Sequence, residues 1–252
     1  CSAFLQASKG LDVMLKYAEK FLRSNPKYIT ILAPITTWVL AVLCGTGHVV
    51  YAMFPIIYDI AIKQNIRPER PMAVSSIASQ MGVCASPASV AVVSVVAILG
   101  ASPHPFGVMQ ILSVSIPATF FGVVMAGLWS LNRGKDLDKD ELFQAKIADP
   151  EQKAFVYGDL ADKSLVNLKL PASAYKAAII FLLGIVVIAI FGSFPQLLPK
   201  FADAKGVMKP FSMTPTIQLI MLAIAAIIMT ICNVKTSDVA SSSVFKSGMT
   251  AI

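Results

Sequence analysis

Apolar runs separated by short polar segments occupy most of this chain: residues 28–44, 49–62, 72–99, 108–131, about 174–194 and about 214–234. An apolar helix of about 20 residues crosses the hydrocarbon core of a bilayer, so runs of this length constrain the fold more than any other feature. Of the 252 residues, 56% are hydrophobic and 14% charged, with a mean hydropathy of +0.71. A soluble domain carries nearer about a quarter charged residues. The net charge of +7 gathers near the ends of the apolar runs. That distribution suits orientation in a membrane, whereas nucleic-acid binding calls for one basic face. The expected class is an all-α, polytopic membrane protein.

Two of the runs are interrupted in a way that a plain span does not require. Residues 28–44 and 49–62 are joined by Gly45, Thr46, Gly47 and His48, and neither arm exceeds 17 residues. Arms this short predict a re-entrant helical hairpin over residues 28–62 that dips into the membrane and returns. Residues 72–99 contain Ser86, Pro87 and Ser89. Proline lacks the backbone donor and steers its predecessor away from helical geometry, so a broken transmembrane helix is expected, with its break near Ser86. An unsatisfied backbone group in hydrocarbon costs several kcal/mol, and such breaks persist only where they line a cavity or are buried in protein. Discontinuous helices offer free N–H groups and a positive dipole end to an anion. Two consecutive broken elements therefore predict half of a binding site.

Each polar residue also has a plainer reading. Ser75 and Ser94 fit small-residue packing against a neighbouring helix, an alternative that Ser76, Ser79 and Ser89 share. Pro117 fits an ordinary kink. Asp59 stands four residues before Lys63 and is expected to pair with it. His48 is read equally well as a hydrogen-bonded residue of the bundle and as a proton or substrate group. Gln80, just before the second break, is a candidate amide donor to a carboxylate. The four cysteines, Cys1, Cys44, Cys84 and Cys232, form no CxxC pair and have no histidine at ligand spacing, so neither metal nor cofactor is expected. Two histidines without a nearby nucleophile or ligand set argue against an enzyme.

The remaining segments complete the plan. Residues 8–27 put Leu11, Met14, Leu15, Ala18, Phe21 and Leu22 on one face among five basic residues, predicting an amphipathic helix at the membrane interface after the end of a preceding element. Residues 108–131 predict a span. Residues 132–173, with seven Lys or Arg and eight Asp or Glu, predict a solvated loop, partly helical over 138–148. Spans follow at 174–194 and 214–234, and residues 235–252 turn apolar again as another element starts. Cytoplasmic placement of the first helix and of residues 63–71 puts 100–107 outside, 132–173 in the cytoplasm and 195–213 outside. The ends of the chain predict an internal fragment of a longer protein.

"CGTGHVVYAMFPIIYDIAIKQNIRPERPMAVSSIASQMG", "ASPASVAVVSVVAILG", "RGKDLDKDELFQ" and "SVFKSGM" closely resemble the anaerobic four-carbon dicarboxylate transporter family, Dcu, in particular its A/B branch. The resemblance covers essentially the whole chain. It implies a multi-pass carrier of the bacterial inner membrane that exchanges fumarate, malate or aspartate for succinate during anaerobic growth. It also implies the ion-transporter-superfamily architecture of inverted repeats, each with a re-entrant hairpin and a broken helix, of which one repeat is present here. The hairpin tip would then correspond to residues 44–48 and the unwound region to residues 85–89. The resemblance assigns substrate carboxylates to Thr46, Ser86 and Ser89. The superfamily's commoner Ser-Asn-Thr tip is replaced by "GTGH", so sodium coupling is not implied.

The substrate-binding set expected on this reading is Gly45, Thr46, Gly47, His48, Gln80, Ser86, Pro87 and Ser89. Its partners are small dicarboxylates and the lipid bilayer, with a homo-oligomer left open and no nucleic acid. An ion or proton antiporter, or another anion carrier of similar architecture, is the rival reading. A purely structural membrane subunit would leave two polar breaks at depth without a purpose.

Overall fold

In the computed structural model, residues 2–100, 106–157, 165–166, 168–198, 200–202, 208–210 and 213–233 are described, and nearly all regular structure among them is helical. Six helices form the first half: α1 (Ser2–Ala7), α2 (Gly10–Ser24), α3 (Ile29–Cys44), α4 (Val49–Lys63), α5 (Glu69–Cys84) and α6 (Val90–Gly100). Then come α7 (Val108–Ser130), the short α8 (Glu141–Ile147) and α9 (Pro150–Tyr157), α10 (Ala172–Ser193) and α11 (Met213–Ile231). One short antiparallel pair, β1 (Lys200–Ala202) with β2 (Met208–Pro210), lies between α10 and α11 in a stretch expected to be a loop. It leaves the all-α membrane class unchanged.

Among the described residues, three helices are long and apolar enough to cross a membrane: Pro26–Cys44, Val108–Ser130 and Ala172–Gly192; Val90–Leu99 and Pro215–Ile231 are shorter apolar helices. The first of these, with the 3-10 turn that precedes α3, reaches 19 residues. Arm length alone therefore does not separate a re-entrant arm from a span. Pro117 sits inside an unbroken α7, as an ordinary kink would. The expected start of a further element at residues 235–252, and most of the expected external loop at 100–107, lie outside the described residues.

Helix α3 is the hub. It packs along α5 and against α7 and α4, while α5 in turn packs on α7. The α3–α5 approach is close because small residues face each other. A Cβ on Gly82 would come within 2.7 Å of Ala41 Cβ and 2.8 Å of the Trp38 carbonyl oxygen. Ser75, Ala78 and Ser79, on the same stripe of α5, are fully buried. Where lipid is as apolar as leucine, such close van der Waals packing is the main source of helix association. Ser75 thus packs as expected; Ser94 is exposed and does not.

The second layer is built on α10, which packs against α2 and α11. Helix α2 is buried within the protein over more than the expected apolar face. Met14, Leu15, Ala18 and Leu22 are buried as expected, but so are Val13 and Glu19, while Phe21 is 48% exposed. Glu19 is tolerated there because Arg23 donates to its Oε1 at 2.7 Å and the Leu165 backbone N–H donates to its Oε2 at 2.8 Å. Asp59 pairs with Lys63 at 2.8 Å, as its spacing predicts, and also with Arg23 at 2.9 Å. Burial works against the Arg23 charge, but hydrogen bonds and attraction from Glu19 and Asp59 outweigh it and hold the guanidinium above its ordinary pKa. These charges tie α2 to α4.

A polar clasp closes the other end. Arg70, at the start of α5, donates to Asp136 at 2.7 Å and to the carbonyls of Arg133 and Gly134, both at 2.6 Å. Arg67 pairs with Asp140 at 2.8 Å, and Asp140 caps α8 by accepting from the Leu142 and Phe143 amides. The segment after α7, expected to be a solvated loop, is thereby docked onto the α4–α5 connection, where Leu137, Ile62 and Val156 bury a small apolar cluster.

Candidate functional site

Both interruptions foreseen in the sequence are real breaks, and they meet. Helix α3 ends at Cys44, where Gly45 takes φ 68° and its amide donates to the Ala41 carbonyl at 2.9 Å. Glycine adopts this left-handed conformation without the cost a Cβ would add. Thr46 Oγ1 then accepts from the His48 amide at 3.3 Å, a small hydroxyl turn that leads into α4.

The second break is built the same way. Helix α5 ends at Cys84, and the buried Pro87, without an N–H to offer, occupies the turn. Ser86 Oγ accepts from the Ala88 amide at 3.2 Å, and Ser89 Oγ accepts from the Val92 amide at 3.1 Å. Ser89 therefore caps α6, satisfying an amide that the helix leaves unpaired.

Contact between the two breaks is backbone-close. A Cβ on Gly45 would stand 3.1 Å from the Ala88 carbonyl, and one on Gly47 would come within 2.6 Å of Gln80 Nε2. Glycine at both positions is what allows the tip of the α3–α4 pair to lie on the α5–α6 break. The ends of α3 and α5 and the beginnings of α4 and α6 converge there. Ala88 was not singled out by sequence reasoning, and an alanine carries no chemical signal that would have marked it.

The expected residues differ in what they face. Gly45 meets the second break at Ala88, and Gly47 meets Gln80, an exposed residue one turn before that break. Ser86 and Ser89 are buried at 0% and 1% exposure, Pro87 is buried and Thr46 is half-buried. His48 is exposed and stacks on Tyr51 with ring centroids 6.1 Å apart.

The hydroxyl chemistry has one sign. Thr46, Ser86 and Ser89 each spend acceptor capacity on a backbone amide, and none donates a hydrogen bond among the described residues. A hydroxyl carries one donor, so three O–H groups remain to be given. Helix N-termini at Val49 and Val90 add the positive dipole end. Donors without a formal positive charge suit an oxyanion that must be held and released. No group of three His, Cys, Asp or Glu side chains able to hold a metal occurs among the described residues.

A family model described as "Anaerobic c4-dicarboxylate membrane transporter" matches residues 1–252. The chain belongs to that family. It is 51% identical over 254 residues to the "Anaerobic C4-dicarboxylate transporter DcuB" of Escherichia coli O6:H1, covering all of this chain and 55% of that relative. It is 34% identical to the "C4-dicarboxylate transporter DcuA" of Escherichia coli strain K12, over 98% of this chain and 54% of the relative. The DcuA protein of Wolinella succinogenes is 32% identical over 99% of this chain and 54% of its own length. The chain thus spans about half the length of the curated relatives it matches. No solved structure matches. The family is one of membrane transporters and not of enzymes.

Proposed function

We propose that the protein to which this chain belongs exchanges C4-dicarboxylates across the bacterial inner membrane, taking in fumarate, malate or aspartate and releasing succinate. Residues 45–48 and 85–89 contribute to its substrate site. The observation that carries this reading is the contact of Gly45 with Ala88, which joins two hydroxyl-bearing breaks into one donor-rich place within a dicarboxylate transporter family. On this reading α3 and α4 form a re-entrant hairpin, α5 and α6 form a broken transmembrane helix, and both belong to one of two inverted repeats. Ser86 and Ser89 are buried, so substrate reaches them when the hairpin tip and the second break separate. The element carrying both breaks then moves against a scaffold to give alternating access.

The test uses the full-length protein in liposomes preloaded with labelled succinate. External fumarate should release the label, whereas sulfate, sodium or buffer alone should not. Release that ignores fumarate, or that a sodium gradient alone drives, overturns the exchanger in favour of an ion-coupled carrier.

A further inference from the structure

We propose that the crevice between α5 and α7 is a binding site for an anionic phospholipid, with the phosphate at Arg133 and an acyl chain along the helices. A cavity of about 450 Å³ opens at the start of α5, its charged and aromatic lining made of Arg67, Glu69, Arg70, Trp129 and Arg133. A second cavity of about 380 Å³ continues it along the same two helices, past Met81, Ala118 and Gly122. Val74, Ile77 and Ala126 line both, so the two are one groove with a charged mouth, where three arginines outnumber the one lining carboxylate, Glu69, and an apolar floor.

Its length fits one leaflet. From Arg70 to Met81 the helix rises about 16 Å, and half of a hydrocarbon core is about 15 Å. The mouth also carries the mark of a membrane interface. Trp129 is 74% exposed at the end of an apolar helix long enough to cross, and the Arg133 guanidinium lies 5.1 Å from its ring centroid. Exposed tryptophan at a span terminus anchors at headgroup level.

The three arginines divide the work. Arg70 commits one donor from each of its three nitrogens to Asp136 and two carbonyls, and Arg67 is paired with Asp140 and Glu69. Arg133 meets no carboxylate among the described residues and lines the mouth beside Trp129. Because Arg70 grips the carbonyls of residues 133 and 134, it positions the turn that presents Arg133. Charge complementarity with an apolar tail favours a lipid over a soluble phosphate. A second copy of the chain or another part of the full-length protein would instead cover the groove with protein.

The experiment is native mass spectrometry of the full-length protein in detergent, offered phosphatidylglycerol or phosphatidylcholine of matched chains. Wild type should retain the anionic lipid about fivefold better, the effect of one basic residue near an anionic headgroup. Arg133→Gln should remove that preference while keeping the backbone carbonyl that Arg70 holds. Lys20→Gln, which removes a charge from α2, should leave the preference intact. Gly122 has nothing within 4 Å of a built Cβ. Gly122→Phe should therefore fill the groove without backbone clash and reduce retention of both lipids. An Arg133→Gln protein that keeps the preference, a Gly122→Phe protein that holds both lipids as well as wild type, or a lipid-free protein or dimer overturns the site.

Discussion

Gly45 lies directly against the carbonyl of Ala88: a Cβ there would stand 3.1 Å from both its carbon and its oxygen. Gly45 is also at φ 68°, so the same glycine reverses the chain and lets the second break approach it. Alanine at this position faces two costs, about 1–2 kcal/mol for the left-handed backbone and a further one for displacing Ala88. Gly45→Ala should lower the melting temperature of the full-length protein in detergent. Gly45→Asn should lower it less, because asparagine tolerates this conformation. Equal melting of wild type and Gly45→Ala would remove the contact from the account.

Thr46 is half-buried at the tip, and its hydroxyl proton is uncommitted among the described residues. Thr46→Val keeps the shape and removes the donor. Loss of a hydrogen bond to a charged group should weaken apparent dicarboxylate affinity about tenfold or more. Thr46→Ser should restore most of it, and the amount of protein inserted in the membrane should not change. Exchange kinetics of Thr46→Val identical to wild type would take Thr46 out of the site.

The Glu19–Arg23–Asp59–Lys63 cluster makes a contrasting case. It joins α2 to α4 through contacts of 2.7 to 2.9 Å. Asp59→Asn and Arg23→Gln should each destabilise the protein, and together by less than their sum. The coupling expected for directly paired residues is about 0.5–3 kcal/mol. Substrate KM should stay where it was in whatever folded fraction remains. A raised KM with unchanged stability would instead make Asp59 part of the transport machinery.

Arg70 holds three oxygens at once, a fork that lysine cannot reproduce although it keeps the charge. Arg70→Lys should therefore loosen the segment after α7. Limited proteolysis should cut within residues 133–157 faster than in wild type, while Glu69→Gln, an exposed neighbour, should cut at the wild-type rate. No acceleration in Arg70→Lys would show that the apolar cluster around Leu137 suffices to dock the segment.

How far the sequence could be read depended on the range of the forces involved. Gly45 and Pro87 announced their breaks because a left-handed residue and a missing N–H act on the backbone next to them. The Asp59–Lys63 pair was legible for the same reason, being one helical turn apart. Arg23, 36 positions before Asp59, was not, nor was the burial of Glu19, whose partners come from its own helix and from Leu165. His48, read with equal weight as a site residue, turned out exposed and stacked on Tyr51.

The membrane class, the two breaks and the family all followed from the sequence by itself, since apolar run length and local backbone chemistry are properties of neighbours in the chain. Only the tertiary structure decided that the two breaks touch, that Gln80 lies against Gly47, and that a charged loop is clasped by Arg70. Those contacts join residues dozens of positions apart. They form because small side chains let helices approach, and that approach is visible only once the helices are packed.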